Sequence, residues 1–334
     1  MYVGSKGRPG ITRGVAARSS LAACAALALT TACTAGSMDS AGAQSAGLPT
    51  VRVALGVDAS YAPLYLAEEH GMFEKEGVHV ELIKTEGGPA AAQAVTAGTA
   101  QMSASANSTA LSLMAGDSDL RALGVFQSSA RYIKVVLRNG ITSPRQIKTM
   151  ASVQGIGLYA THQYLRHNGI DPKSVKILQS SAPEIPGMLK RGSIDGYILF
   201  EPWASKGAAA GGHIAGYTGD FGVMSIQWLL ADQGWLKGHE ELAGKVFKAV
   251  AAADKIVSDD PQAGAKATNQ QVKLPVADAA KVLPEITFAA RGIQKADVTD
   301  AQKIVDFLLG QELIKKSPAL GTTLLNGWYE KHGQ

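Results

Sequence analysis

The chain has 334 residues, 46% of them hydrophobic and 18% charged, which is enough for one large or two medium cores and too apolar for a disordered chain. Its net charge is +4, but Lys6, Arg8, Arg13 and Arg18 stand in the first 20 residues with no acid among them. The remainder is close to neutral, which excludes nucleic acid as the main partner, because phosphate binding needs a clustered basic face.

Both cysteines, Cys24 and Cys33, fall near the start, so residues 34–334 hold neither an internal disulfide nor a thiolate nucleophile. Residues 1–18 are mostly polar and basic, and 21–29 form an uncharged apolar run. That run is shorter than the roughly 20 residues a spanning helix needs, and with its basic flank it reads as an export signal. Thr30-Thr31-Ala32-Cys33 resembles a bacterial lipobox. Leu21-Ala22-Ala23-Cys24 fits locally but has almost no apolar core ahead of it, which favours Cys33. The resemblance implies a signal over 1–32, lipidation at Cys33 and attachment to the extracytoplasmic face of the cell membrane. A plain cleaved signal with an incidental cysteine is the alternative. Residues 33–49 lack a core-forming pattern and read as a flexible tether.

The alternation in 51–56 predicts the first strand, and 61–70 a helix with Pro63 in its first turn. A turn at 73–77 leads to a strand over 78–83. Residues 89–97 predict a helix, 101–104 a strand, 109–115 a helix, and 120–127 and 132–137 two more strands. This alternation builds a sheet flanked by helices. A second set follows: a strand at 148–153, the glycine loop Gln154-Gly155-Ile156-Gly157, a helix over 158–167, a strand at 175–178, a helix over 184–190 and a strand at 197–200. After Gly222 the pattern turns helical, over 242–257, 261–271, 276–283, 300–309 and 322–331. The reading is an α/β chain of two lobes with a helical C-terminal segment: 50–137 plus 222–334 form lobe 1, and 138–221 form lobe 2.

The segments Val57-Asp58-Ala59-Ser60-Tyr61-Ala62-Pro63-Leu64-Tyr65-Leu66-Ala67 and His70-Gly71-Met72-Phe73-Glu74-Lys75-Glu76-Gly77-Val78 resemble the opening of the nitrate/sulfonate/taurine and thiamine-precursor binding proteins of ABC importers. Gly192-Ser193-Ile194-Asp195 and Glu201-Pro202-Trp203 match further family motifs in order, and Ser143–Lys148 matches an entry segment whose closing Gly-Lys is missing. The resemblance implies a type II periplasmic-binding-protein fold acting as a monomer without a cofactor. It also implies partners: a small-molecule solute, a permease and its ATPase.

In such a cleft the solute meets carboxyl ends of strands and amino ends of helices. Four segments qualify: Asp58, Ser60 and Tyr61; Ser105, Asn107 and Ser108; Gln154 and Gly155 with Thr161; and Glu201 with Trp203. Each has a structural reading beside the functional one, as a helix cap, a plain turn or a core aromatic. Trp228 is a further candidate, for which core packing is the stronger reading. The lone G-x-G lacks the rest of a dinucleotide or P-loop motif. His162 and His167 are five apart, not the four of a zinc helix, and no G-x-S-x-G elbow occurs, so the chain reads as a binder rather than an enzyme. None of the four segments contains Arg or Lys. Glu201, Tyr61 and Trp203 therefore favour a planar solute with N–H donors, such as an aminopyrimidine, over the alternative of an alkanesulfonate, taurine or nitrate.

Overall fold

The computed structural model describes residues 47–116 and 119–334; the export signal, most of the tether, Cys24 and Cys33 lie outside the described residues. In chain order come β1 (Thr50–Leu55), α1 (Ala62–Glu69), α2 (Met72–Lys75), β2 (His79–Lys84), α3 (Gly88–Thr96), β3 (Met102–Ala106), α4 (Asn107–Met114) and β4 (Leu120–Ser129). Next are β5 (Ile133–Arg138), β6 (Thr149–Ser152), α5 (Ile156–His167), β7 (Lys176–Gln179), α6 (Ile185–Lys190), β8 (Gly196–Phe200), α7 (Trp203–Ala209) and β9 (Gly212–Tyr217). The last run is β10 (Ser225–Asp232), α8 (Gln233–Leu236), α9 (Glu240–Asp259), α10 (Pro261–Val272), α11 (Val276–Val282), β11 (Thr287–Arg291), α12 (Lys295–Gly310), α13 (Leu320–Thr323) and α14 (Trp328–His332).

The strands form two sheets, ordered β11-β4-β10-β3-β1-β2 and β7-β6-β8-β5-β9. Their wiring is equivalent. β1 runs parallel to β2 and β3, as β6 does to β7 and β8. Each parallel trio is then joined by an antiparallel strand that has just crossed from the other sheet: β10 beside β3, and β5 beside β8. The inner parallel strands β1 and β3 are buried on both faces, which is why they read as nearly continuous apolar or small runs.

Strand β5 belongs to the second sheet, so the crossing falls at 130–132, and 133–137 leave lobe 1 as it was read from the sequence. Its apolar alternation suits either sheet; only its pairing partner distinguishes them. The region after Gly222 is not purely helical, since β10 and β11 complete the first sheet. β10 is buried along nearly its whole length and offers no alternation to mark it. The helix expected over 322–331 is two short helices, because Leu324 bridges Ala122 and Gly327 takes a left-handed φ of 79°.

The tail packs through α9, which buries Ala243, Val246, Phe247, Val250, Ala253 and Val257 on one stripe and lies on β11. Phe247 reaches β4 at Gly124, where a Cβ would stand 2.7 Å from the Arg291 carbonyl oxygen and 3.0 Å from the Phe247 ring. Among the described residues no helix is long and apolar enough to cross a membrane.

Candidate functional site

The starts of α4 and α5, one from each sheet, meet. A Cβ on Gly155, the N-cap of α5, would lie 3.2 Å from Thr109 Oγ1 and 3.7 Å from Ser108 Oγ in the first turn of α4. Gly155 also has φ 75°, so both its backbone and its neighbours call for glycine. Among the described residues neither helix has a side-chain cap on its N-cap residue or an acid in its first turn. Asn107 Oδ1 accepts the Ser108 N–H at 2.7 Å, and the Ser108 hydroxyl, fully buried, has no partner among the described residues. Two helix starts with positive end potential, and without a side-chain cap on the N-cap residue of either, therefore converge on one place.

The floor beside them is polar. Gln227 on β10 pairs in register with Ala106, just before α4, and with Gln127 on β4. Both glutamines are buried. Both amide atoms of Gln127 and Oε1 of Gln227 lack hydrogen-bond partners among the described residues. Buried amides left this way cost about 1–3 kcal/mol each, so they mark a place where a partner is expected. The Gln227 amide reaches the Tyr61 phenol, and burial raises the pKa of that phenol far above the ordinary tyrosine value, helped by the Asp58 charge.

A second polar group ties the two sheets together. Lys134 Nζ, on β5, lies 2.6 Å from Glu201 Oε1 and 2.8 Å from Glu285 Oε2. Ser205 donates to Glu201 twice, from its amide at 3.0 Å and its hydroxyl at 2.9 Å. The Tyr132 hydroxyl lies 3.0 Å from Asp58 Oδ1 and 3.1 Å from the Glu201 carbonyl oxygen. Burial works to lower the Lys134 pKa, but the bonds to Glu201 and Glu285 outweigh it and hold the ammonium charged. Burial raises the Asp58 pKa, against hydrogen bonds from Ser60 and Tyr132 that work to lower it.

The predicted residues divide. Asp58 accepts the Ser60 N–H at 2.8 Å, capping its turn, and the buried Ser60 hydroxyl faces the same carboxylate. Tyr61 is a core aromatic that stacks on Phe126 at 6.5 Å and offers only its phenol. Ser105 donates to the Gly88 carbonyl and fastens α3 to β3. Thr161 donates to Gly157 O within α5, a bond internal to its helix. Gln154 is exposed beside Gly155. Glu201 is fully engaged by Lys134 and Ser205, so its carboxylate serves the cap and ion pair rather than a solute N–H. Trp203 lies under the Lys206 ammonium at 4.1 Å and against the core of the second sheet. Trp228 is fully buried core.

The sequence reading passed over Gln127, Tyr132, Lys134, Gln227 and Glu285. The available signal was a lone polar residue inside an apolar strand, as in Ile133-Lys134-Val135 or Ile226-Gln227-Trp228. Such a residue is costly to bury without a purpose. Two cavities flank the site. One, of about 240 Å³, lies between Ala59, Glu201, Pro202 and Lys206 on one side and Leu274 and Lys281 on the other. The other, of about 150 Å³, includes Thr109, Gly155, Leu158 and Leu308.

Two α/β sheets of equivalent wiring, exchanging strands across a polar seam, define the periplasmic-binding-protein fold. The chain belongs to the NMT1-like family, whose pattern matches residues 44–272. A Bacillus subtilis protein named for aliphatic sulfonate binding is 22% identical over 285 residues, covering 76% of this chain and 85% of its own length. The periplasmic aliphatic sulphonate binding protein of Escherichia coli superposes with a TM-score of 0.74 at 15% identity, covering 86% of this chain and 99% of that one. The same fold carries chemistry elsewhere: a desulfurization enzyme superposes with a TM-score of 0.62 at 12% identity, over 85% of this chain and 98% of its own.

Proposed function

We propose that this chain is the extracytoplasmic solute-binding component of an ABC importer, and that its solute is a small organic acid of the sulfonate type. The observation that carries the reading is the meeting of the α4 and α5 starts, neither with a side-chain cap on its N-cap residue nor with a first-turn acid, beside the unpaired Ser108 hydroxyl. Such a pair binds an oxyanion through backbone N–H groups and needs no resident Lys or Arg. The names of the Bacillus subtilis relative and the Escherichia coli structure point the same way. The aminopyrimidine preference leaned on Glu201 reading N–H donors, and Glu201 is occupied, so the sulfonate alternative takes its place.

In this reading the two sheets are lobes that close over the solute, as a monomer, and pass it to a permease and its ATPase. Ser108, Asn107, Gly155, Ser60 and Asp58 line the site, joined by Gln127 and Gln227. Acylation at Cys33 keeps the protein at the membrane.

The test is a thermal-shift and calorimetry panel of alkanesulfonates, taurine, nitrate and pyrimidines. A sulfonate at 100-fold above its Kd stabilises the fold by about 2.7 kcal/mol and is recovered unchanged. Binding of pyrimidines alone, or consumption of the compound, overturns the proposal.

A further inference from the structure

Helix α5 makes aromatic contacts toward both of its ends, and they differ in kind. Toward its C-terminus, Tyr164 and His167 pack on Phe221, with ring centroids 5.6 Å and 6.3 Å away. Phe221 closes the turn Thr218–Phe221, which lies between β9 of the second sheet and β10 of the first. This end of α5 therefore rests on a strand crossing. Nearer its start, Tyr159 and His162 both meet Phe307 of α12 edge to face, at 5.2 Å and 5.1 Å. All three of these side chains are buried. Helix α12 packs on α4, which follows β3 of the first sheet. Phe307 is thus a side chain of one half seated against two side chains of the other.

The two contacts cannot behave alike when the halves part. A Cβ on Gly155 would lie only 3.2 Å from Thr109 Oγ1, so the starts of α5 and α4 are in contact. A solute reaches their junction from solvent only if they separate. Because α12 stays with α4, that separation also draws Tyr159 and His162 off Phe307. The Phe221 contact lies at the crossing and moves least, as does the ion pair of Lys134 with Glu285, just beyond the crossing at 130–132. From Tyr164 back to Gly155 the helix is a lever roughly 14 Å long, so a rotation of ~20° at the crossing carries its start about 5 Å. Leu158, next to Tyr159, and Leu308, next to Phe307, line one cavity with Gly155 and Thr109. Seating Phe307 and assembling the oxyanion end of the site are therefore one movement.

We infer, resting on the reading that the two sheets close over a solute, that Phe307 is the latch of that closure. It is a positioning residue: it touches no solute, and it holds the α5 start against α4 by packing on Tyr159 and His162. Two edge-to-face contacts and the burial of three rings favour the closed state. In the open state these contacts are absent, so Phe307 stabilises the solute-bound form and not the free one.

The experiment compares the purified chain with Phe307→Ala and the milder Phe307→Leu, using propanesulfonate as the probe. Binding kinetics are expected to give at least about tenfold weaker binding for Phe307→Ala, carried by faster dissociation, with the association rate within about twofold and Phe307→Leu in between. Urea unfolding of the solute-free chain reads the contact without any ligand. Phe307→Ala is expected to share the wild-type midpoint there, whereas truncating a permanent core ring lowers it. A lowered midpoint or loss of the fold in the free variant, or an unchanged dissociation rate, overturns the inference and leaves the sulfonate reading standing. If propanesulfonate and the other sulfonates all fail to bind the wild-type chain, the sulfonate reading falls, and the free-chain midpoint still decides the latch.

Discussion

The helix starts of the C-terminal tail and those at the seam are built in opposite ways. At α12, Asp297 accepts the Gln294 N–H at 2.7 Å and is gripped by Arg291 through both oxygens. At α10, Asp260 caps the Gln262 amide, and α9 opens on Glu240 and Glu241. The tail thus meets its positive helix ends with its own carboxylates, which stabilises the fold. The starts of α4 and α5 have no acid, and apart from the Ser108 N–H, which Asn107 takes, no side chain of their own caps them among the described residues. A helix start satisfied from within serves stability; one left open serves a solute.

Exchanging these roles breaks the contrast. The largest effect is expected from Asp297→Ala, which strips a buried acid from Arg291 and opens the α12 cap. Unfolding in urea should give a loss of about 3 kcal/mol, with solute affinity unchanged. Thr109→Asp places an acid in the first turn of α4 and should weaken a sulfonate about a hundredfold by calorimetry, or about 2.7 kcal/mol. Its melting temperature should hold or rise, since an acid there favours the helix itself.

Asp254 sharpens the comparison as the tail's exception. It is buried on α9 with no cation or side-chain donor against it among the described residues, and burial raises its pKa well above the ordinary value, against a backbone hydrogen bond from Ala290 that works to lower it. The folded chain therefore keeps this proton to higher pH than the unfolded chain does. The stability it contributes is present below about pH 4 and is lost as pH rises through the folded value. Asp254→Asn should flatten that decline and add about 1–2 kcal/mol at alkaline pH, read from denaturation midpoints across pH. The smallest effect is expected from Tyr132→Phe, a loss of about 1 kcal/mol of stability for the hydrogen bonding removed at Asp58 and Glu201.

The two halves of the fold were unequally legible. Strands such as β1 and β2 announce themselves because turns and helix signals bound them on both sides. β10 did not, since it is a long buried run in a stretch otherwise dominated by helices, and the five-residue β11 is too short to show a period. In the site, residues at strand-to-helix junctions were readable because caps and open starts use the same small polar types. Ser108, Asn107 and Gly155 came from that logic. Gln127, Lys134 and Gln227 did not, because their neighbours in sequence describe only core, and their partners arrive from distant strands. Glu201 stands out in the sequence as a candidate for reading solute N–H donors, but its partner Lys134 stands 67 positions away.

The exchange of strands between the sheets also sets an order on synthesis. Every strand of the second sheet, β5 to β9, lies on a contiguous stretch of chain. The first sheet is interrupted, with β3 and β4 separated by a gap that only β10 fills. A nascent chain therefore carries the whole inner sheet before it can close the outer one. Gln227 rides on that late strand, so the floor of the solute site is among the last parts of the molecule to be assembled.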